Sequence, residues 1–195
     1  MSGQHDMSRL RISYVDPATL TDPRMSAEFD RARREGTPRR ESHAIRAHVP
    51  AVFWSFVDTW QAVFRNGVVD HNLKELCRVY VSRSVNCRYC GNQRSADAVR
   101  AGLVEEDYRH LLDFEKSDRY DARQKAALAF AQAITWDLDT DDAFWERLGR
   151  HFSEPQIVEL GYFIGVTMGQ QRFVRTLNLD EHPLGAGGAK SQATE

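Results

Sequence analysis

The chain has 195 residues, 42% of them hydrophobic, and a formal net charge of -2 at pH 7. That length supports one well-buried core, and the near-neutral balance gives no overall field to attract a polyanion, so nucleic acid is not expected as a partner. Three cysteines are too few and too odd in number for a secreted disulfide framework, the start has no signal-like pattern, and no window approaches the roughly 18 apolar residues of a membrane span; a cytoplasmic protein without membrane association is expected.

Residues 1–8 are polar, and residues 185–195 are rich in Gly, Ala and Ser. Both ends are expected to be disordered, with a single helical domain over 9–184. Arg31, Arg33, Arg34, Arg39, Arg40 and Arg46 crowd one stretch opposed only by Glu35 and Glu41. It reads as a solvated basic face, with anion binding or a subunit contact as the alternative. From there on the apolar period is helical and alternating strand-like runs are missing, so the fold class is all-α.

A first long helix is predicted from about 49 to 65, with Pro50 in its first turn and Val52, Phe53, Phe56, Val57, Trp60, Val63 and Phe64 forming a broad apolar stripe. Asn66-Gly67 is expected to end it in a left-handed conformation. A second helix spans about 71–84, where Leu73, Leu76, Cys77, Tyr80 and Val81 recur at helical spacing, and Cys77 is read as a small core residue. A third should start at Cys87-Arg88-Tyr89-Cys90 and run to Ala101, with Gly102-Leu103 as a Schellman-type ending. A short helix over 105–114 follows. Asp121-x-x-Gln124 opens an Ala-rich helix ending near Trp136, 141–151 supports another, and Ser153-x-x-Gln156 with Pro155 opens the last, to about Phe173. On that last helix Gly161, Gly165 and Gly169 recur every four residues, which reads as close packing within or between subunits.

The chemistry concentrates at Cys87 and Cys90. A CxxC spacing at the first turn of a helix brings two sulfurs within disulfide reach, and the helix N-terminus places partial positive charge where a thiolate would form, which makes such a thiol reactive. Zinc is the chemical rival, but a closed site wants four ligands, and neither Cys77 nor the scattered histidines supply a second pair. A third reading is a pair of inert buried thiols. Glu75 lies off the Leu73/Leu76/Tyr80 stripe, sharing a side with His71, and counting back from the turn near Asn86 brings it opposite Arg94 and Ser95. Arg94, four residues after Cys90, is expected to pair with Glu75 and to stabilise a Cys90 thiolate, the plain alternative being a structural salt bridge. For His71 the plain reading is a polar residue at a helix start, and for His48 a loop or interface residue.

Glu75, the CxxC eleven residues further on, and Ala98-x-x-Ala101-Gly102 resemble the motif of the carboxymuconolactone decarboxylase-like superfamily, in particular its alkylhydroperoxidase D-like branch. His48-Val49-Pro50, Lys74-Glu75-Leu76 and Gln171-Arg172-Phe173 extend the resemblance over roughly residues 43 to 180. It implies an alkylhydroperoxidase D-like helical bundle assembled as a homo-oligomer, a trimer or hexamer, and an antioxidant peroxidase that reduces a small-molecule hydroperoxide without cofactor or metal. Cys90 would attack the peroxide, Cys87 would resolve it as a redox-active disulfide re-reduced by an unknown reductant, and Glu75 would relay the proton, with Arg94 and His71 as possible accessories. The chain departs from the pattern at Arg94, where the family expects His; a guanidinium accepts no proton near neutral pH.

Two other functions compete. One is a decarboxylase or lactone-processing enzyme working by acid–base chemistry, which needs no dithiol; the other is a non-catalytic helical oligomer with inert cysteines, binding an apolar ligand between subunits.

Overall fold

Caps written into the sequence set where most helices begin. In the computed structural model, which describes residues 9–184, Asp22 accepts the Arg24 N–H at 2.8 Å to open α1 (Pro23–Glu35), and Gly36 ends it at a left-handed φ of 73°. The short α2 (Arg40–Arg46) and α3 (Pro50–Thr59) follow, Pro50 standing in the first turn as predicted. Asp70 accepts the Leu73 N–H at 2.9 Å ahead of α4 (His71–Ser84), and α5 (Arg88–Gly91), α6 (Ala96–Arg100) and α7 (Glu105–Arg109) are short. Capping boxes at Asp121/Gln124 and Ser153/Gln156 open α8 (Ala122–Trp136) and α10 (Glu154–Arg175), with α9 (Asp142–Gly149) between them. Among the described residues every regular element is helical, as the periodicity predicts. No described helix is long and apolar enough to cross a membrane. The two ends expected to be disordered lie outside the described residues.

The core is a three-helix contact in which α4, α8 and α10 pack on one another. Leu73, Leu76 and Tyr80 meet Leu128, Leu160 and Ile164 in one apolar cluster, and each such side chain contributes about 1.5–3 kcal/mol by leaving water. Cys77 is part of this cluster, its Sγ 3.7 Å from the Ala127 carbonyl. Burial pushes its thiol well up, so it behaves as the small hydrophobe the pattern predicts.

Five expectations change, among them the helix predicted over 105–114, which breaks at His110 into α7 and a 3-10 turn over Leu111–Lys116. The first long helix stays α-helical only to Thr59 and widens into a π turn over Trp60–Asn66, where the Gly67 N–H reaches the Ala62 carbonyl at 3.1 Å. Gly67 has φ -31°, not a left-handed value. What requires glycine there is the Glu159 carboxylate, which occupies the space a Cβ would need while accepting the N–H groups of Val68 and Val69 and the Lys74 ammonium.

The third predicted helix is broken into α5 and α6. The Ser95 N–H goes to a Glu75 carboxylate oxygen at 2.9 Å instead of to a carbonyl one turn back, and the Ser95 hydroxyl caps α6 through the Ala98 N–H. Its ending is as predicted: Gly102 takes φ 100° and the Leu103 N–H returns to the Ala98 carbonyl at 3.0 Å.

The arginine-rich stretch is a solvated face only in part: Arg33 and Arg34 are exposed, but the others turn inward or pair. Arg31 is held between Glu28 and Glu35, Arg46 is 5% exposed, and Arg65 joins Glu35 of α1 to Asp97 of α6.

The glycine stripe of α10 divides. A Cβ on Gly161 would stand 3.2 Å from the Phe130 ring, which is the close approach predicted, but Gly165 and Gly169 face open space.

Candidate functional site

The centre of the site is a buried ion pair within α4. Glu75 and Arg78 are 0% and 2% exposed. Arg78 Nε and Nη2 donate to the two oxygens of Glu75 at 2.7 and 2.9 Å, and Glu75 Oε1 also accepts the Ser95 N–H. The rest of the guanidinium reaches across to the cysteine loop, Nη1 donating to the Cys90 carbonyl at 2.8 Å and Nη2 to the Gln93 carbonyl at 2.7 Å. Every strong polar group of the pair is thus satisfied, the condition under which a buried charge pair is tolerated. Burial opposes the charge on Arg78, but the Glu75 carboxylate outweighs it and holds the guanidinium above its ordinary pKa.

The same loop sets the two sulfurs 2.8 Å apart, both buried. The Cys87 N–H is anchored on the Ser82 carbonyl at 2.9 Å, which fixes the loop against α4. Two thiols this close share a proton, and sharing splits their acidities. The hydrogen bond from Cys90, aided by the Arg78 charge, pulls Cys87 below the ordinary thiol value against the effect of burial. The bond to Cys87 and then burial push Cys90 well above it, with Arg78 and Arg46 drawing it back. Of the two, Cys87 is therefore the more readily ionised sulfur, where the sequence pointed to Cys90. The four-residue α5 supplies little helix dipole; the guanidinium groups supply the positive field.

Cys90 forms part of the wall of a narrow recess of about 40 Å³, together with Arg46, Phe56, Trp60, Thr167 and Gln171. Arg46 lies flat on the Phe56 ring at 3.7 Å, donating to the Ser42 carbonyl at 2.9 Å and to Gln170 Oε1 at 2.7 Å. It has no carboxylate partner among the described residues, and burial lowers it to about 10. Tyr89, on the other side of the recess, donates to Glu41 at 3.1 Å and accepts the Ser42 N–H.

Of the residues predicted from sequence, Cys87, Cys90 and Glu75 gather around Arg78. Glu75 does so from inside the core, not from beside it. Arg94 turns away: it pairs with Glu105 at 2.7 and 2.9 Å, donates to the Gly91 and Gln93 carbonyls, and stacks on the Tyr108 ring. The predicted Glu75–Arg94 pair is replaced by Glu75–Arg78, because an intrahelical partner three residues on reaches both carboxylate oxygens without crossing the loop. His71 sits one step behind Glu75, its Nε2 2.6 Å from the Ser95 hydroxyl and its Nδ1 3.0 Å from the Phe64 carbonyl. His48 contacts the Ser13 carbonyl at 2.7 Å, in the N-terminal loop.

Sequence reasoning missed Arg78 and Arg46. Arg78 had a signal, three residues after Glu75 on the same helix; Arg46 was hidden in an arginine-rich stretch.

Residues 50–133 match the model of the carboxymuconolactone decarboxylase family. An uncharacterized protein of Mycobacterium tuberculosis is 36% identical over 117 residues, or 58% of this chain, and the match spans only 39% of that relative's length. Among solved structures, the debrominase Bmp8 in complex with 2,3,4-tribromopyrrole matches 90% of this chain and 99% of its own, with a TM-score of 0.72 at 19% identity. A protein of unknown function from Agrobacterium tumefaciens, described as a putative antioxidant defence protein AhpD, matches 71% of this chain and 95% of its own, with a TM-score of 0.61 at 22% identity. Likenesses at such identities establish the fold, which is that of the AhpD-like proteins.

Proposed function

We propose that this chain, which belongs to the carboxymuconolactone decarboxylase-like superfamily, is a thiol-dependent peroxidase whose working parts are Cys90, Cys87 and the Glu75–Arg78 pair. The observation that carries the reading is a pair of sulfurs 2.8 Å apart, one of them on the wall of a recess and both in the field of buried guanidinium groups.

The proton shared by the sulfurs passes from Cys90 to Cys87, which takes the place of the histidine absent at position 94. The Cys90 thiolate attacks the outer oxygen of a hydroperoxide; the O–O bond breaks, the alkoxide leaves and takes the proton now on Cys87 to become the alcohol, and Cys90 becomes a sulfenic acid. The Cys87 thiolate attacks the sulfenic sulfur, the S–O bond breaks, hydroxide leaves and takes a proton from solvent to become water, and the disulfide closes. Two thiols and one hydroperoxide give one disulfide, one alcohol and one water. An external thiol reductant restores the pair. Glu75 is a positioning residue in this cycle: its oxygens are taken up by Arg78 and Ser95, and it acts by holding Arg78 against the cysteine loop.

Intact mass after exposure to tert-butyl hydroperoxide, followed by alkylation, tests the proposal. A loss of two hydrogens with both loop thiols protected is expected, blocked by Cys87→Ser or Cys90→Ser. Turnover that survives Cys87→Ser would favour acid–base chemistry instead.

The fold shared with a debrominase favours a second reading, in which the same two electrons reduce a carbon–bromine bond to carbon–hydrogen with release of bromide. Bromide release from 2,3,4-tribromopyrrole by the reduced protein separates the two. Assembly as a homo-oligomer is part of the proposal. It is supported by the outward face of α10, where Val158 and Tyr162 are 72% and 54% exposed beside the open Gly165 and Gly169. Light scattering at several concentrations tests it, and a monomer throughout would refute it.

A further inference from the structure

Three side chains that line the recess in front of Cys90 each carry a buried polar atom with no hydrogen-bond partner among the described residues: Trp60 Nε1, Thr167 Oγ1 and Gln171 Oε1. Their residues are 6%, 2% and 5% exposed, so water does not serve them from outside. Each is unusual by itself. A buried indole N–H ordinarily finds an acceptor. A helical threonine ordinarily bonds the carbonyl four residues back, as Thr135 does to Ala131 at 2.6 Å, and Thr167 does not. Gln171 gives its amide N–H to the Arg78 carbonyl at 3.1 Å, which fixes its amide and leaves the oxygen as an unused acceptor. Thr167 and Gln171 stand one turn apart on α10, and Trp60 comes from the π turn across from them. Each buried polar group left unpaired costs about 1–3 kcal/mol, and three in the lining of one recess are three bonds left for a ligand to complete.

We infer that these three side chains form the binding site for a compact, uncharged ligand with a hydroxyl that both donates and accepts, as a hydroperoxide or the corresponding alcohol has. The inference rests on the peroxidase reading only for its choice of hydroperoxide. Trp60 offers a donor, Gln171 an acceptor, and Thr167 either. A hydroperoxyl group answers all three, its oxygens accepting from Trp60 and Thr167 and its proton going to Gln171. A carboxylate has no proton for Gln171. The two charged side chains on the wall are already engaged, Arg46 with the Ser42 carbonyl and Gln170 Oε1 and Arg78 with Glu75. Phe56 and Val174 leave apolar contact for a small alkyl group. Bound in this way, the peroxide is sorted from anions before the sulfur reacts.

Indole N–H resonances provide a direct reading of the site. The reduced protein is titrated with tert-butanol, and the Cys90→Ser variant with tert-butyl hydroperoxide; Trp60→Phe assigns the Trp60 signal. Saturable movement of that signal is expected with both, and none with pivalate, which carries the same alkyl group on a carboxylate. Thr167→Val should weaken tert-butanol binding roughly five- to tenfold. No saturable movement with alcohol or hydroperoxide, or equal movement with pivalate, overturns the inference. Should Trp60→Phe not fold, unchanged tert-butanol affinity in Thr167→Val overturns it equally. Failure of the peroxidase reading is a different result: wild-type protein that keeps both loop thiols in the hydroperoxide while its Trp60 signal moves has the site without the chemistry.

Discussion

Arg78 grips both oxygens of Glu75, at 2.7 and 2.9 Å, within a single turn of a helix where neither side chain meets water. Removing one partner strands the other charge in the core, so Arg78→Met should cost about 3–5 kcal/mol. Adding Glu75→Leu to that variant should recover most of the loss, because the stranded charge goes with it. Urea denaturation of the two single variants and the double checks this; simple additivity would mean the pair is not coupled.

The thiols should titrate as a unit. In Cys90→Ala, Cys87 loses the hydrogen bond that holds it down and should titrate higher; in Cys87→Ala, Cys90 loses its chief upward influence and should titrate lower. Thiolate absorbance against pH reads both. The depressed Cys87 value also adds stability that is present above the unfolded thiol pKa and lost as pH falls through the folded one.

Arg46 and Arg94 should behave in opposite ways. Arg46→Met removes a buried cation that favours the Cys90 thiolate and should raise the Cys90 titration. Arg94 is committed to Glu105, itself 70% exposed on its side chain. Arg94→Ala should leave both thiols as they are and cost about 1–3 kcal/mol, since its bonds to the Gly91 and Gln93 carbonyls and its contact with the Tyr108 ring go with the ion pair. Thiol titration and urea midpoints of the two variants test the contrast; a shifted thiol in Arg94→Ala would return that residue to the site.

His43 predicts the response to acid. It is buried among Phe29, Phe53 and Phe56 with both ring nitrogens lacking a partner among the described residues, and burial, with Arg46 and Arg31 nearby, lowers its pKa to about 3. Below the unfolded value of 6.5 the unfolded chain takes up a proton that the folded chain refuses. Stability should therefore fall between pH 6.5 and 3, with a limiting slope of about 1.4 kcal/mol per pH unit from this group. His43→Phe should remove that slope without loss of stability at pH 7. Urea midpoints at several pH values check it, and an equal slope in the variant would refute it.

Much of this was legible in the sequence where one local signal sufficed. The Asp121/Gln124 box and the Ser153/Gln156 box announce α8 and α10, and the apolar spacing of α4 places Cys77 inside. The meeting of Glu75 with Ser95 followed from counting across a turn. What stayed hidden depends on contacts between distant segments. Arg46 and Arg78 look like surface residues until α10 and the cysteine loop close over them. The α1–α2 region carries so many charges that its burial shows only once Arg31 and Arg65 have their carboxylates. Trp60, Thr167 and Gln171 come from helices a hundred residues apart, and an unfilled hydrogen bond has no signature in a string of letters.

The π turn over Trp60–Asn66 has a consequence for how such a protein diversifies. It holds one residue more than α-helical pitch allows, and a single residue corresponds to about 100° of rotation. Deleting one residue there would swing Phe64 out from between Trp60, Phe163 and His71 while α4 and its cysteine loop kept their own frame. The joint separates the setting of the reactive sulfurs from the shape of the chamber they face, so the choice of molecule admitted can change by inheritance while the electron chemistry is left untouched.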